Sequence, residues 1–286
     1  KQGGAGGKWA DAAIVLKAVG EHVAPIPLAE AVLANWLLAK AGIGVPDGVT
    51  TLLDGDFKLV EGRISGTAPR VPWGRNANHG VAIIEGAVVL VPLDGAAIKP
   101  AINVAREPRD AVTLKNVSVT AKRAELPEDA MRLYGALIRA CQMAGALNYL
   151  SMQSVRYANE RTQFGRPIGK FQAIQQQLAV LSTQAAAAGL AAAHACAQLD
   201  RRGLDAGFEI AIAKIRADDA SSIATAIAHQ VHGAIGFTYE HGLHFATRRL
   251  WSWRAEFGAG AEWAERLGRE TIARGADALW PHVTAR

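Results

Sequence analysis

Apolar residues in the first part of the chain recur at the spacing of a helix. Leu16, Val19 and Val23 follow one another at intervals of three and four residues, which places them on one helical face. Two prolines then interrupt the pattern, and a second apolar run, LAEAVLANWLLAKAGI, follows them. We therefore predict an N-terminal helical segment over residues 1–45, made of two helices.

The pattern changes between residues 46 and 124. Glycine and proline recur there, and they separate short runs rich in β-branched residues, such as GVAII, AVVLVPL and AVTLKNVSVT. Runs of this kind between turn residues are typical of antiparallel strands. The sequence predicts a small middle β domain over residues 46–124, with turns at DGAAIKP and REPRD.

The last part of the chain, residues 125–286, has almost no strand pattern. One long helix is predicted to begin in the segment ELPEDAM, with its acidic residues in the first turn, where they favour the helix dipole. The segment GRPIG interrupts this helix, and two more long helices are predicted at about 171–200 and 208–232. Long helices joined by short turns indicate a C-terminal four-helix bundle and an α+β fold class.

Composition narrows the range of partners. The chain has 286 residues, half of them apolar, and a formal net charge of +5. Its 31 lysines and arginines are interspersed with 26 acidic residues and form no long run, which favours a solvated surface over a nucleic-acid patch. We expect no nucleic-acid partner, although the basic excess suits a small ligand that carries phosphates.

The two cysteines indicate a reducing environment. Cys141 and Cys196 both lie in alanine-rich helical patterns, so we predict reduced core thiols in a cytoplasmic protein. No CxxC or HExxH spacing occurs, and we expect no metal. No apolar run approaches the roughly 20 residues of a membrane span. The polar start, KQGGAGGKWAD, lacks a signal-peptide layout and is predicted to be a loop, as in a chain that begins partway into a longer protein.

Two stretches carry candidate chemistry. In the first, residues 157–179, Arg161 and Phe164 stand at the end of a predicted helix, just before a glycine–proline corner. An arginine can make a bidentate contact with a phosphate, and a phenylalanine offers a flat face to a ring. The alternative interpretation is an ordinary helix–turn–helix with a solvated arginine and a core phenylalanine.

The second stretch covers residues 229–250. Gly233 and Gly236 allow close approach of a ligand or another backbone, and Gln230 can form hydrogen bonds to a nucleotide. A pair of glycines is also a common way to end a helix, so this stretch alone is ambiguous.

Taken together, the two stretches form a recognisable pattern. RxxFGxPIGxFQ, about 70 residues ahead of QxxGxxGFxxE, resembles the acyl-CoA dehydrogenase family, most clearly over residues 132–258. The resemblance implies the desaturation of an acyl-CoA thioester with FAD, which lies across a subunit interface. It also implies that Arg161, Phe164, Gln230 and Gly233 contact FAD, largely an FAD bound to the neighbouring subunit.

The resemblance fails at the catalytic base. Removal of the α-proton needs a carboxylate close to the α-carbon, and the family places it at one of two positions. Alignment on Arg249 puts Phe257 at the family's aromatic position and Gly258 at the carboxylate. The second position, 29 residues before Phe164, is Gly135. The nearest carboxylates, Glu256 and Asp129, are displaced from both.

The flavin-ring segment of the β domain also departs from the family. Arg70 and Pro72 occupy the places of the usual aromatic and hydroxyl residues, and Trp73 is a candidate substitute for the aromatic one. The family resemblance therefore implies a base-lacking subunit of an α2β2 complex, in which a homologous partner supplies the base and the ring contacts. A glycine at position 135 would leave room for a bulky steroid side-chain thioester.

Two alternatives remain open. One is a self-sufficient homomeric dehydrogenase with Glu240 as its base, although a structural ion pair of Glu240 with Arg248 or Arg249 is the simpler expectation. The other is a structural or interaction protein that has kept the fold and binds neither flavin nor coenzyme A.

Overall fold

The computed structural model describes residues 6–285, so the first five residues of the loop predicted at the start of the chain lie outside the described part, and the last three residues of that segment belong to a helix. Helix α1 spans Trp9–Glu21 and helix α2 spans Leu28–Lys40. They meet at the turn that contains the two prolines. Strands and then further helices follow in the order expected from the sequence, which confirms the α+β class.

The β domain consists of two four-stranded sheets, ordered β1-β4-β5-β8 and β2-β3-β7-β6. Their apolar faces enclose a second hydrophobic core, separate from that of the helices. The strands are β1 (Thr50–Leu52), β2 (Asp56–Val60), β3 (Arg63–Pro72), β4 (His79–Ile84), β5 (Ala87–Pro92), β6 (Ala97–Lys99), β7 (Arg109–Ser118) and β8 (Thr120–Arg123).

Three details of the β domain differ from the prediction. Strand β1 pairs with β4 in parallel, although only antiparallel pairs were expected. The DGAAIKP segment contains strand β6, which pairs with β7, and the end of REPRD already belongs to β7. Pairing with β6 satisfies backbone groups along the outer side of β7 that a turn would leave open.

The C-terminal part is a helical bundle. The long helices α3 (Ala130–Glu160), α4 (Gln172–Arg202) and α5 (Gly207–His232) lie side by side, joined by short connections. Shorter helices pack on them: α6 (Leu243–Trp253), α7 (Gly260–Arg274) and α8 (Ala276–Thr284). Alanines fill much of the core between the long helices and allow their axes to come close.

Both ends of α3 depart from the sequence expectation. The helix begins at Ala130, so the acidic residues precede it, and Asp129 at the N-cap position forms an ion pair with Arg266 instead of facing the first turn. After α3, the GRPIG break holds a small hairpin, β9 (Thr162–Gln163) with β10 (Arg166–Pro167). Arg161 and Phe164 therefore lie beyond the last helical turn.

The N-terminal segment is joined tightly to the bundle. A Cβ built on Gly20 of α1 would overlap the backbone of Gln142, and one on Gly145 of α3 would overlap the backbone of Lys17. Two glycines thus let α1 and α3 approach backbone to backbone.

Cys141 and Cys196 are free and buried, with 3.6 Å between their sulfur atoms, as the sequence predicts for reduced core thiols. One helical stretch, residues 172–237, has the length and composition of a membrane span, contrary to our expectation of none. Composition and length are weak support for a span. This stretch is divided into α4 and α5, which turn at Gly203 and both pack on α3.

Candidate functional site

The two sequence stretches meet at one end of the bundle. Helices α3 and α5 run in the same direction, so their C-terminal ends lie together. Tyr157 in the last turn of α3 stacks on His232 in the last turn of α5, with ring centroids 4.6 Å apart. We call the surface formed by Arg161, Phe164, Gln230 and Gly233 the bundle-end surface.

The first half of this surface is a hairpin with an exposed ring. The backbone N–H of Arg161 donates to the carbonyl of Tyr157, and its own carbonyl accepts from Ile168, which fixes the hairpin to α3. Phe164 stands at φ +53°, beside Gly165 at φ +77°, and is 92% exposed. The interpretation of Phe164 as a core residue is therefore wrong, and its ring is available as a platform.

The second half of the surface is the end of α5. Gly233 ends the helix at φ +62°, and a Cβ built on it meets nothing within 4 Å. Gln230 and Gly233 line a cavity of about 720 Å³. The Nδ1 atom of His229, which also borders this cavity, is buried without a hydrogen-bond partner, and burial lowers the pKa of this histidine.

The bundle-end surface fits part of a flavin dinucleotide. It offers an exposed guanidinium for a phosphate, an exposed flat ring and a side-chain amide, and the cavity beside it is bordered by the partnerless Nδ1 atom of His229. Of residues 6–285, none forms an ion pair with Arg161. An arginine that is free in this way can make a bidentate contact with a phosphate.

A second region, which we call the interdomain cleft, lies between the β domain and the segment that joins α6 to α7. Its cavity of about 640 Å³ is lined by Arg70 and Pro72 from the β domain and by Trp251, Glu256 and Phe257 from the helical part. This is where the sequence leads us to look for a base.

Glu256 is the carboxylate nearest to the expected base, and it is held by two arginines. It accepts from Arg109 Nε at 2.8 Å and from Arg139 Nε at 2.6 Å. Burial favours the neutral carboxyl, but the charges of Arg139 and Arg109 outweigh burial and lower the pKa of Glu256 to about 2. A carboxylate with so low a pKa is a poor acceptor for an α-proton.

These contacts belong to a longer buried chain of charges. Acidic and basic side chains alternate along it, with each neighbouring pair between 2.6 and 3.1 Å apart, in the order Glu30, Arg139, Glu256, Arg109, Glu107, Arg249. Trp253 adds an indole N–H to Glu107. This charge chain joins α2, α3, α6 and the β domain, and its positive and negative charges are equal in number.

Neither family position for the base can take a carboxylate here. A Cβ on Gly135 would overlap the ring of Phe257. Gly258 lies at φ +93°, and a Cβ there would come within 2.7 Å of Arg132 and 2.8 Å of Trp263. The expectation that Gly135 leaves room for a bulky acyl group is therefore wrong, because Phe257 fills that space.

Two further expectations need correction. Trp73 does not line the interdomain cleft; it borders a different cavity, while Arg70 and Pro72 face the cleft. Glu240 is exposed and forms no ion pair within residues 6–285. Arg249 turns instead to Glu107, and Arg248 donates to a backbone carbonyl.

Sequence reasoning missed the buried cations that hold the loop around Glu256 in place. Arg139 and Lys214 are both fully buried, and each interrupts an apolar helical pattern, which was the available indication. Lys214 donates to the carbonyls of Arg254 and Gly258 at 2.6 and 2.8 Å, and burial lowers its pKa to about 8. It thereby fixes the loop that carries Glu256.

The helix–sheet–helix order and the two motifs that meet at the bundle end define the acyl-CoA dehydrogenase class of flavoproteins. The chain belongs to the acyl-CoA dehydrogenase family: residues 117–274 match the family described as acyl-CoA dehydrogenase, C-terminal domain.

Similar proteins agree with this assignment. The acyl-CoA dehydrogenase IpdE2 of Mycobacterium tuberculosis is 30% identical over 264 residues, which cover 86% of this chain and 73% of IpdE2. The ChsE4–ChsE5 complex from Mycobacterium tuberculosis contains a chain with 25% identity and a TM-score of 0.84, with 96% of this chain and 83% of that chain covered. The Tcur3481–Tcur3483 steroid ACAD gives 26% identity and a TM-score of 0.83, with coverage of 96% and 84%.

Proposed function

We propose that this chain is the base-lacking subunit of an α2β2, FAD-dependent acyl-CoA dehydrogenase and that it contributes FAD contacts to a homologous partner. One observation carries the proposal. The carboxylate nearest to the family's base position, Glu256, is bound by two arginines, whereas the bundle-end surface is open.

The chemistry of desaturation supports a base on the partner. When bound, FAD supplies the hydride acceptor for the β-hydrogen, and a carboxylate must take the α-proton. To act as that carboxylate, Glu256 would have to release both Arg109 and Arg139 and raise its pKa from about 2 toward the working pH. Releasing them would leave each of these two buried guanidinium groups with only one of its two carboxylate partners, which is costly.

Each residue of the bundle-end surface has a role that its geometry supports. The guanidinium of Arg161 binds a phosphate, and the ring of Phe164 stacks on a planar group. The amide of Gln230 forms hydrogen bonds to the nucleotide, and Gly233 leaves space for the ligand to approach the backbone.

The surface of helix α4 supports the proposal that this chain has a protein partner. Residues 171–199 contain no Asp, Glu, Lys or Arg, yet many of these positions are exposed, including Val180 and Leu190. A helix that faces water normally carries charges on its outer face. We infer that another subunit covers α4, as befits a relative of the ChsE4–ChsE5 and Tcur3481–Tcur3483 pairs.

The likeness to a steroid ACAD also supports a steroid-type acyl-CoA as the substrate class of the complex. The free thiols of Cys141 and Cys196 support a cytoplasmic location.

Co-expression tests the proposal. The chain is purified alone and together with the product of the neighbouring open reading frame, and flavin absorbance is measured in both samples. The proposal expects flavin only in the co-expressed complex. Flavin and acyl-CoA turnover in the single chain would favour a self-sufficient enzyme, and flavin in neither sample would favour a structural protein.

Arg161→Ala tests the bundle-end surface directly. Loss of a charge-assisted contact, worth about 1.5–3 kcal/mol, should weaken FAD binding in the complex roughly 10- to 150-fold. Arg156→Ala is the control, because Arg156 is an exposed arginine near the end of α3 that forms an ion pair with Glu160. Equal FAD affinity in the two variants would remove Arg161 from the site.

A further inference from the structure

A third cavity, of about 640 Å³, lies beside the interdomain cleft. The first half of the loop at residues 101–108 lines the cleft, and the second half lines this cavity. We propose that it binds a planar aromatic ligand that carries a phosphate or a carboxylate. We call it the arginine–aromatic cavity after the lining residues Trp73, Arg106, Tyr239, His244, Phe245 and Arg248.

The backbone around this cavity is strained at three places. Val23, Trp73 and Arg106 have φ angles of +45°, +57° and +62°, and all three line the cavity. Left-handed backbone is uncommon outside glycine and rare for a β-branched residue such as valine. The three residues come from separate segments, and strain of this kind gathers at ligand sites.

The cavity carries two positive charges without counter-ions. Arg106 donates to the hydroxyl of Tyr239 at 3.0 Å, and Arg248 donates to the carbonyl of Val104 at 2.8 Å. Among residues 6–285, neither arginine has a carboxylate within ion-pair distance. The one acidic wall residue, Glu107, is already bound to Arg109 and Arg249. An anionic group would therefore meet uncompensated guanidinium groups.

The other walls suit a flat ring. The ring of His244 lies 4.2 Å from that of Phe245 and 5.2 Å from that of Tyr239, between centroids. Arg106 lies 5.5 Å from the Tyr239 ring centroid. Stacking on these rings and on the guanidinium plane favours an aromatic ligand. The Nδ1 atom of His244 is buried without a partner, so it can form one hydrogen bond to the ligand.

This site is independent of the proposed flavin contacts, because none of the four residues of the bundle-end surface lines it. Its volume lies within the usual range of about 300–1,000 Å³ for small-molecule sites. A nucleoside monophosphate and a fused-ring aryl carboxylate share the required chemistry.

Calorimetric titration distinguishes these two types of ligand. It uses the purified protein, together with its partner subunit where the two co-purify. The probes are AMP and 2-naphthoate, each compared with its uncharged counterpart, adenosine or 2-naphthol. We expect at least one charged probe to bind about tenfold or more tightly than its counterpart. AMP alone would identify a nucleotide-type ligand, 2-naphthoate alone would identify an aryl carboxylate, and binding of both would support the shared chemistry.

Arg106→Asn locates the binding. Asparagine tolerates the left-handed backbone of Arg106, so the variant removes the charge without adding strain. It should weaken binding of the charged probe about tenfold or more. Arg269→Gln, in an exposed pair on α7, should leave binding unchanged. If neither charged probe binds, if charge gives no advantage, or if Arg106→Asn has no effect, the site is refuted.

Discussion

The interdomain cleft and the bundle-end surface use the same kinds of residue in opposite ways. In the cleft, arginines and glutamates are buried and paired with one another, and Phe257 fills the space above Gly135. At the bundle end, Arg161 has no acidic partner within the described residues and Phe164 points into solvent. Charges that neutralise each other hold a structure together, whereas unpaired charges and rings are ready to bind a ligand.

This difference places the features of a binding site at the bundle end and leaves Glu256 in the cleft paired with arginines instead of free for proton transfer. The cleft lies where the family places its catalytic base, but its charged side chains are buried and paired as in a protein core. The charge chain carries equal numbers of positive and negative charges and joins three parts of the molecule. The bundle-end surface has the construction of a binding site and carries no carboxylate suited to proton transfer. Substitutions and pH changes in the two regions test this difference.

The largest effect is expected from Arg139→Ala. Removal of this guanidinium leaves Glu30 and Glu256 without their shared counter-charge in a buried setting. We expect a loss of about 3–5 kcal/mol in the free energy of unfolding, measured by urea denaturation. The exposed pair Arg269–Glu265 is the control, and Arg269→Ala should cost about 1 kcal/mol or less. A similarly small cost for Arg139→Ala would show that the charge chain does not stabilise the folded structure around the cleft.

The second-largest effect is expected from acid, which should lower the free energy of unfolding. The pKa of Glu256 is depressed in the folded chain, so its contribution is present above its unfolded pKa and is lost as pH falls. From a normal value of 4.5 to a folded value of about 2, the loss is about 3 kcal/mol, spread across that pH window. Urea denaturation at a series of pH values measures it. Glu256→Gln should flatten this part of the profile, and an unchanged profile would contradict the assignment.

Two glycine substitutions give a smaller, matched contrast. Gly135→Ala places a methyl group against the ring of Phe257 and should cost about 1–3 kcal/mol of stability. Gly233→Asn meets open space, but Gly233 has φ +62° and ψ −145°, a conformation used almost only by glycine, so this variant should cost about 1–3 kcal/mol through backbone strain and not through overlap. FAD affinity should fall only in the Gly233 variant. The reverse result would exchange the roles of the two regions.

Local patterns were enough to predict the helices. The periodicity of α1, α2 and the three long helices depends on neighbours in the sequence, and proline or glycine marks their ends. Strand pairing depends on distant residues, which explains why the parallel β1–β4 pair and strand β6 were missed.

The same distinction between local and distant residues applies to the candidate site. The bundle-end residues lie in two compact stretches, so the sequence could single them out, although their contact with FAD remains a prediction. The charge chain draws on residues from position 30 to position 256, and only the fold brings them together. The supposed ion pair of Glu240 failed for this reason, because Arg249 is turned toward Glu107.

The most direct test is the rate at which an acyl-CoA reduces the flavin of the co-expressed complex when this chain carries Glu256→Gln. Glu240→Gln serves as a parallel variant, since Glu240 is the alternative base. A general base contributes about 10²- to 10⁴-fold to the rate. If the base belongs to the partner, the rate of flavin reduction in both variants should stay within about threefold of the rate in the unmodified complex. A change of that size is far smaller than the loss of a general base would cause. A fall of roughly a hundredfold or more in either variant, with flavin still bound, would show that this chain supplies the base after all.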